Sequence, residues 1–344
     1  MSCASPSEQE MEILRKQMGN GQMNKNVRFL LRGGYIVKTD IGNIQVGIPP
    51  ETIKDCMKLG ITMPSIYIVP RERIDRKNFL NISEFEFPVY FNFFFTRKKA
   101  RIVCTQDVKL KIKTIFQETL LGPVDLSTFD KDFDESFPKD YKPNMRKELD
   151  YFAVNPFTSK ELTMDTMIQI ETFDDKGECL LDDKIRVVAN EAKLTYDFYD
   201  ENKFIASTPQ NIQLHPEAYF CHTMFREEKA RLFKIGSGRD LQSNEEPLGF
   251  TPPFFGVTIL GSSHGFDCNG STTGFILWIN QRGVMVDPPP FAGTGIREFG
   301  VPPNLIDKII ITHCHADHDT GCFQKLLMAH QIEIVTTPTI MGCF

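Results

Sequence analysis

This 344-residue chain lacks several sequence features that would indicate its class directly. Its nine cysteines are dispersed and form no C-x-x-C pair, which argues against a disulfide framework or a zinc ribbon and favours reduced thiols. No apolar run is long enough to span a bilayer, and the polar N-terminus lacks the apolar segment of a secretory signal. The net charge of −6 provides no general attraction to nucleic acid or to an anionic membrane. We therefore expect a soluble, cytoplasmic protein with no membrane partner.

The composition is that of a globular protein, with 41% hydrophobic and 24% charged residues. We see no internal repeat and no low-complexity tract. Residues 1–26 predict a short helix and a linker, and residues 27–235 predict one α+β domain of unknown type. Residues 236–253 are rich in Gly and Pro and predict a second linker. A separate domain would then occupy residues 254–344.

Local patterns predict the elements of the longer domain. Alternating apolar residues favour strands at 34–40, 43–48 and 64–70, and "PPETIKDCMKLG" (49–60) favours a helix that ends at a glycine. The aromatic run "EFPVYFNFFF" (86–95) is interpreted as a strand, and residues 216–235 as a helix. The basic residues that follow the aromatic run are Arg97, Lys98, Lys99 and Arg101, which form either a solvated turn or, less simply, a phosphate or RNA patch.

The C-terminal region differs from the preceding region in its pattern of apolar residues. Four short apolar, β-branched runs are separated by Gly and Pro, and "GCFQKLLMAHQ" (321–331) then has helical spacing before a last strand. The polar segment "THCHADHD" (312–319) therefore falls where a strand meets a helix, which is where α/β proteins place ligands.

The spacing of this segment suits a metal ion. His313 and His315 are two apart, so both side chains leave an extended backbone on one side, while Cys314 points the other way into the core. Asp317 and His318 follow in the turn, and Asp319 or Thr320 is expected to cap the next helix. These ligands suit Zn²⁺, with Fe or Mn as alternatives.

These segments resemble a known family. "IIITHCHADHDTG" (309–321) resembles the signature loop of the metallo-β-lactamase-fold hydrolases, and "VTILGSS" (257–263) and "GFILWINQRGVMVD" (274–287) resemble its first strands. "IDKIIITHCHADHDTGCFQKLL" (306–327) is similar to the branch that contains tRNase Z and the cyclic-nucleotide phosphodiesterases. The resemblance implies an αββα fold, of which residues 254–344 would form the N-terminal half.

The resemblance also implies roles. His313 and His315 would bind a first metal, Asp317 and His318 a second, with Asp317 the catalytic residue and two Zn²⁺ in a complete domain. Asp287 would support the loop without binding metal. His264, in the loop "GSSHGFDCNG", would be close enough to contact substrate, although a loop histidine is more often simply exposed.

Two departures qualify this expectation. Three prolines follow Asp287 where the family has a glycine, and the family's further His, Asp and His ligands do not follow His318. We expect a metal-dependent hydrolase that attacks a small phosphodiester or RNA through a metal-bound hydroxide and is completed by a downstream domain. The alternative is a truncated, catalytically inactive fragment, or a regulatory module with a half-built metal site.

Overall fold

The computed structural model describes residues 24–30, 32–70, 74–75, 80–81, 83–210, 250–298, 300–328 and 331–344. The helices predicted near the N-terminus and over 216–235 lie outside these ranges, as does most of the linker predicted at 236–253. Within the described ranges, no helix is long and apolar enough to cross a membrane.

The strands form three main sheets and one two-stranded ribbon, in the orders β1-β2-β3-β4-β7-β8, β12-β11-β10-β9, β13-β14-β15-β16-β17 and β5-β6. Their bounds are β1 Val27–Phe29, β2 Tyr35–Thr39, β3 Gly42–Val46, β4 Ile66–Ile68, β5 Ile74–Asp75, β6 Leu80–Asn81, β7 Ala100–Cys104, β8 Ile168–Thr172, β9 Glu178–Leu181, β10 Ile185–Asn190, β11 Thr195–Asp200, β12 Lys203–Pro209, β13 Phe255–Gly261, β14 Gly274–Ile279, β15 Arg282–Val286, β16 Ile306–Ile310 and β17 Glu333–Val335.

The helices connect and cover these sheets. The α-helices are α1 Thr52–Lys58, α2 Glu86–Tyr90, α3 Gln106–Phe116, α4 Met145–Phe152, α5 Met164–Met167, α6 Ala292–Glu298, α7 Ala316–Met328 and α8 Pro338–Cys343. Single π-helical turns span Phe91–Phe95 and Gln117–Leu121, and 3₁₀ turns span Leu126–Asp132, Lys139–Tyr141 and Pro303–Leu305.

Alternation along the strands explains the layers of the N-terminal region. In the first sheet, Val37, Ile44 and Ile68 face the second sheet and pack on Val187 and Phe198. The intervening residues face the other way, where helices α2 and α3 cover them in a separate apolar cluster. The first sheet is therefore buried on both faces, and its strands are rich in β-branched residues for that reason.

One sequence prediction in this region is wrong. The segment 86–95, interpreted as a strand, forms helix α2 and the π-helical turn Phe91–Phe95. In this helical conformation Val89 and Phe93, four apart, both enter the core beside α3. Tertiary packing of one helical face decides the conformation here against the strand propensity of the aromatic residues.

The first and third sheets repeat one topology, although no repeat is apparent in the sequence. In each, three strands pair antiparallel in chain order (β1-β2-β3 and β13-β14-β15), and further strands then join in parallel, three in the first sheet (β4, β7 and β8) and two in the third (β16 and β17). The registers also correspond, because Val46 pairs with Ile68 and Val286 pairs with Ile310.

The two sheets differ in how they are covered. One face of the third sheet packs on α6, α7 and α8 around the fully buried Trp278. On its other face Val257, Ile259 and Val335 are exposed, whereas the matching face of the first sheet is covered by the second sheet. The described residues therefore leave an apolar sheet face exposed.

Candidate metal centre

The histidine loop joins β16 to α7, as its sequence predicts. The strand ends at Ile310 and the helix begins at Ala316, and the amides of His318 and Asp319 both donate to the carbonyl oxygen of His315. His315 thus stands at the helix N-terminus, and the prediction that Asp319 or Thr320 caps the helix is wrong, since both lie inside it. Cys314 is buried, as predicted, and its Sγ contacts the carbonyl oxygen of Ile340.

Asp287 holds this loop in place. It follows β15 with a left-handed φ of 43°. Its Oδ1 accepts from the amide of Thr312 at 2.8 Å, and its Oδ2 accepts from the Thr312 hydroxyl at 2.6 Å. The carboxylate is therefore fixed beside the histidines by two hydrogen bonds from the loop itself.

Three side chains converge closely enough to share one ion. Potential ligand atoms of Asp287, His313 and His318 all lie within 4.8 Å of one another. The rings of His313 and His318 are 4.3 Å apart, and His318 Nδ1 lies 4.0 Å from Asp287 Oδ2. Two imidazoles and a carboxylate are the donor set of many catalytic zinc sites.

The predicted ligands divide between this cluster and its neighbourhood. His313 and His318 are in it, together with Asp287, to which the sequence assigned only a supporting role. His315 and Asp317 lie beside it: the His315 ring is 4.8 Å from that of His313, and Asp317 Oδ2 is 3.6 Å from His318 Nε2. The assignment of His315 and Asp317 as ligands stays a prediction.

Two buried polar atoms of the site lack hydrogen-bond partners among the described residues, as expected of a binding site for an ion. Asp317 Oδ1 and His318 Nδ1 are buried and make no hydrogen bond within the described part of the chain. Each such atom costs roughly 1–3 kcal/mol because it has lost water without gaining a partner. A divalent cation would satisfy both kinds of atom, so the residues present fit a metal.

The electrostatics agree with that fit. Burial, aided by His318 and His315, lowers the pKa of His313 to about 4, and burial lowers the pKa of His315 as well. Both rings are therefore neutral at pH 7 and keep a lone pair for a metal. Burial raises the pKa of Asp317, and burial beside Glu86 and Asp317 raises that of Asp319. A bound cation would favour the ionised form of these carboxyl groups.

The N-terminal region forms one wall of the site, which sequence analysis missed. The Tyr90 ring meets the His315 ring edge-on at 6.2 Å, and burial beside Glu86 and Asp317 raises the Tyr90 pKa to about 12. Glu84 and Glu86 are buried within reach of Asp317, and burial raises the pKa of both. Two glutamates alternating with phenylalanines in "SEFEF" were the available signal.

A buried lysine ties this wall to the loop that carries His264. Lys54 Nζ donates to Glu51 Oε1 at 2.6 Å and to the carbonyl oxygen of Gly270 at 2.9 Å. His264 itself is exposed, and its Nδ1 accepts from the amide of Phe266 at 3.3 Å. The structure thus leaves His264 outside the metal cluster, and its contact with substrate stays a prediction.

The repeated topology explains why only the C-terminal sheet carries such a loop. β15 is followed by Asp287, whereas β3 is followed by Gly47. Counted from the matching strand ends, "HCHADH" (313–318) corresponds in sequence to "RERIDR" (71–76). An arginine stands in the first segment at the position of each of the three histidines, and a guanidinium has no lone pair to offer a cation.

Comparisons with known proteins match the segment that carries the histidine loop and, more broadly, most of the chain. Residues 255–340 match the family model described as "Anti-Pycsar protein Apyc1". The chain is 32% identical to the cGMP-dependent 3',5'-cGMP phosphodiesterase A of Dictyostelium discoideum, over 93% of this chain and 49% of the relative. It is 30% identical to the cAMP/cGMP-dependent 3',5'-cAMP/cGMP phosphodiesterase B of the same organism, over 87% of this chain and 30% of the relative. The chain thus spans about half of the first relative's length, and less of the second's. No solved structure matches it significantly.

Proposed function

We propose that this chain carries the metal-binding part of a hydrolase that opens the phosphodiester of 3',5'-cyclic nucleotides. The observation that carries the proposal is the convergence of Asp287, His313 and His318 at a strand-to-helix junction. The names of the two relatives supply the substrate class. A metallo-β-lactamase-like arrangement of the third sheet and its helices remains part of the proposal.

The chain's own residues would divide the work. Asp287, His313 and His318 would hold a Zn²⁺, Fe or Mn ion, with His315 and Asp317 available to a second ion. When bound, such an ion lowers the pKa of a coordinated water to about 7 and polarises the phosphoryl oxygen. Asp317 Oδ1 has no hydrogen-bond partner among the described residues, and in this proposal it would accept a proton from the attacking water.

The N-terminus of α7 would assist with charge. The first turn of the helix contains the amides nearest to the cluster, and helix N-termini stabilise anions such as a phosphodiester. The wall formed by the half-buried Tyr90 and the buried Glu84 and Glu86 would exclude water from the same side.

A second candidate is a regulatory or binding module with a single cation. It is favoured by the number of converging ligands, because three side chains meet in the described residues where a two-metal site needs more. Such a module would bind a cation and a nucleotide without turning the nucleotide over.

The test measures release of 5'-nucleotide from cGMP and cAMP by the full chain supplied with Zn²⁺, Mn²⁺ or Fe²⁺. The proposal expects metal-dependent turnover that falls by at least about a hundredfold in His313→Ala and His318→Ala, with His264→Ala losing much less. Metal binding without turnover would favour the single-cation module, and turnover that survives both substitutions would contradict the proposal.

A further inference from the structure

An exposed aromatic platform lies on the wall that borders the histidine loop. We define it by the rings of Phe91, Phe95 and Phe266. Phe91 and Phe95 stack at 5.4 Å with an angle of 22° between their planes, and the Phe95 side chain is 65% exposed. They belong to the π-helical turn that replaced the predicted strand, and such turns are frequent at functional sites.

The platform is assembled from both halves of the chain. Phe266 comes from the loop that precedes β14 and meets Phe95 at 5.7 Å and Phe87 at 5.0 Å. The neighbouring Gly265 lies so close to the Phe87 ring that a Cβ there would stand 2.1 Å from it. The loop can therefore seat Phe266 beside Phe95 only because position 265 has no side chain.

A continuous series of ring contacts leads from the platform to the metal loop. Phe87 meets Phe266 on one side and Tyr90, at 6.4 Å, on the other. Tyr90 in turn meets His315 at 6.2 Å. The platform and the metal cluster thus flank one wall.

Basic residues follow Phe95 closely in the chain. Arg97 adopts a left-handed φ of 59° and lies 3.1 Å over the Phe157 ring, outside the platform, and Lys98 and Lys99 follow it on the surface. The platform itself offers aromatic rings, which are the surface on which nucleobases stack.

We infer that the platform binds the nucleobase of the substrate while the metal cluster binds its phosphodiester. This inference rests on the proposed function and adds a binding site for the base. Phe95 and Phe266 are the specificity-determining residues, and the N-terminal region contributes directly to substrate binding.

Calorimetry on the zinc-loaded full chain tests this with two probes, a hydrolysis-resistant phosphorothioate analogue of cGMP and a ribose cyclic phosphate that has no base. We expect the chain to bind the analogue at least about tenfold more tightly, since stacking contributes to the analogue alone. Phe95→Ala and Phe266→Ala should each remove about that factor for the analogue and leave the base-free probe unchanged.

Two further variants sharpen the result. Phe95→Trp keeps a stacking surface and should bind the analogue at least as well as the original chain, with its fluorescence quenched on binding. Phe204→Ala, at an exposed phenylalanine of β12, should change nothing. Melting curves for all variants establish that each is folded.

The outcomes separate the two ideas. Equal affinity for both probes, or equal loss for both in Phe95→Ala, would overturn the base site while leaving the metal site intact. Binding of neither probe would overturn the proposed function as well. Tighter binding of single-stranded RNA than of the cGMP analogue would overturn the assignment to a mononucleotide.

Discussion

Asp287 joins the structure of the site to its chemistry. Its carboxylate accepts both hydrogen bonds from Thr312 and also lies within reach of a metal shared with His313 and His318. A ligand fixed in this way needs no reorganisation when the ion arrives, so the Thr312 hydroxyl should contribute to affinity without touching the ion.

Thr312→Val should therefore weaken zinc binding by about tenfold, since the substitution removes one of the two donors that orient Asp287 and preserves the side chain's shape. Competition with a chromogenic zinc chelator measures the change, and Thr62→Val, at an exposed threonine, is the control. Unchanged affinity in Thr312→Val would show that Asp287 is oriented by other contacts.

Replacing Lys54 should lower the free energy of unfolding substantially. It is fully buried, and its ammonium group is bound by Glu51 and by the carbonyl oxygen of Gly270. Lys54→Met keeps the aliphatic volume but leaves a buried carboxylate without this partner, at a cost of about 3–5 kcal/mol. Urea unfolding should show that loss, whereas the exposed Lys113→Met should stay within about 0.5 kcal/mol.

Sequence alone identified the histidines because their pattern is local. His313, Asp317 and His318 are near neighbours in the chain, and the strand and helix around them are visible in the same few residues. Glu84, Glu86 and Tyr90 reach the site from more than two hundred residues away, and no spacing rule connects them to it. The wall of the site depends on tertiary packing and needed the structure.

At the scale of elements, close backbone contact positions α7. Gly321 lies within the helix, and its amide donates to the carbonyl oxygen of Pro288 at 3.1 Å. A Cβ at this position would stand 2.4 Å from that oxygen and 2.5 Å from the carbonyl oxygen of Pro289. A glycine at this position therefore lets the helix contact the proline turn after Asp287.

Gly321→Ala should consequently destabilise the chain by about 1–3 kcal/mol and weaken zinc binding, because the added methyl group pushes α7 away from Asp287. Gly295→Ala makes the same change in α6, where a Cβ meets nothing within 4 Å, and should stabilise by about 0.5–1 kcal/mol. Thermal melting of the pair tests both signs. Equal effects would mean that the contact with the proline turn is unimportant.

The elements themselves were predicted unevenly. Strands with alternating β-branched residues, such as β2, β3 and β16, are found where the pattern places them. The conformation of segment 86–95 was predicted wrongly, because its consecutive aromatic residues satisfy a strand pattern and a helical face equally well. Packing against α3 decides between the two conformations.

At the scale of the whole molecule, one topology occurs twice with different coverage. The first sheet is enclosed between helices and the second sheet, and the corresponding segment of its sequence is "RERIDR". The third sheet carries the histidines and leaves one apolar face open. The two sheets correspond in strand order and register, but their sequences show no visible similarity. The repeat was therefore found only in the structure.

The open face should cause self-association. Val257 and Ile259 lie two apart in β13, on the same face of the sheet, and are 55% and 56% exposed. Large exposed apolar patches of this kind drive association in water. The double variant Val257→Thr, Ile259→Thr should shift the sedimentation profile towards monomer and reduce binding of an apolar dye.

The matched control places the same change where no sheet face is involved. Leu110→Thr with Val124→Thr alters two side chains that are more exposed, at 72% and 74%, and it should leave the profile unchanged. A monodisperse monomer for the unsubstituted chain would contradict the prediction, because the face would then be tolerated in solution.

The central claim is that the histidine loop and Asp287 form a cation site. The stoichiometry of zinc binding by the full chain tests it most directly. Elemental analysis after dialysis against a weak chelator should find about one zinc per chain, since three ligands suffice for one catalytic-type site. The ion should be absent from His313→Ala and His318→Ala and present in His264→Ala. No zinc in the original chain, or an ion that persists in His318→Ala, would contradict the account.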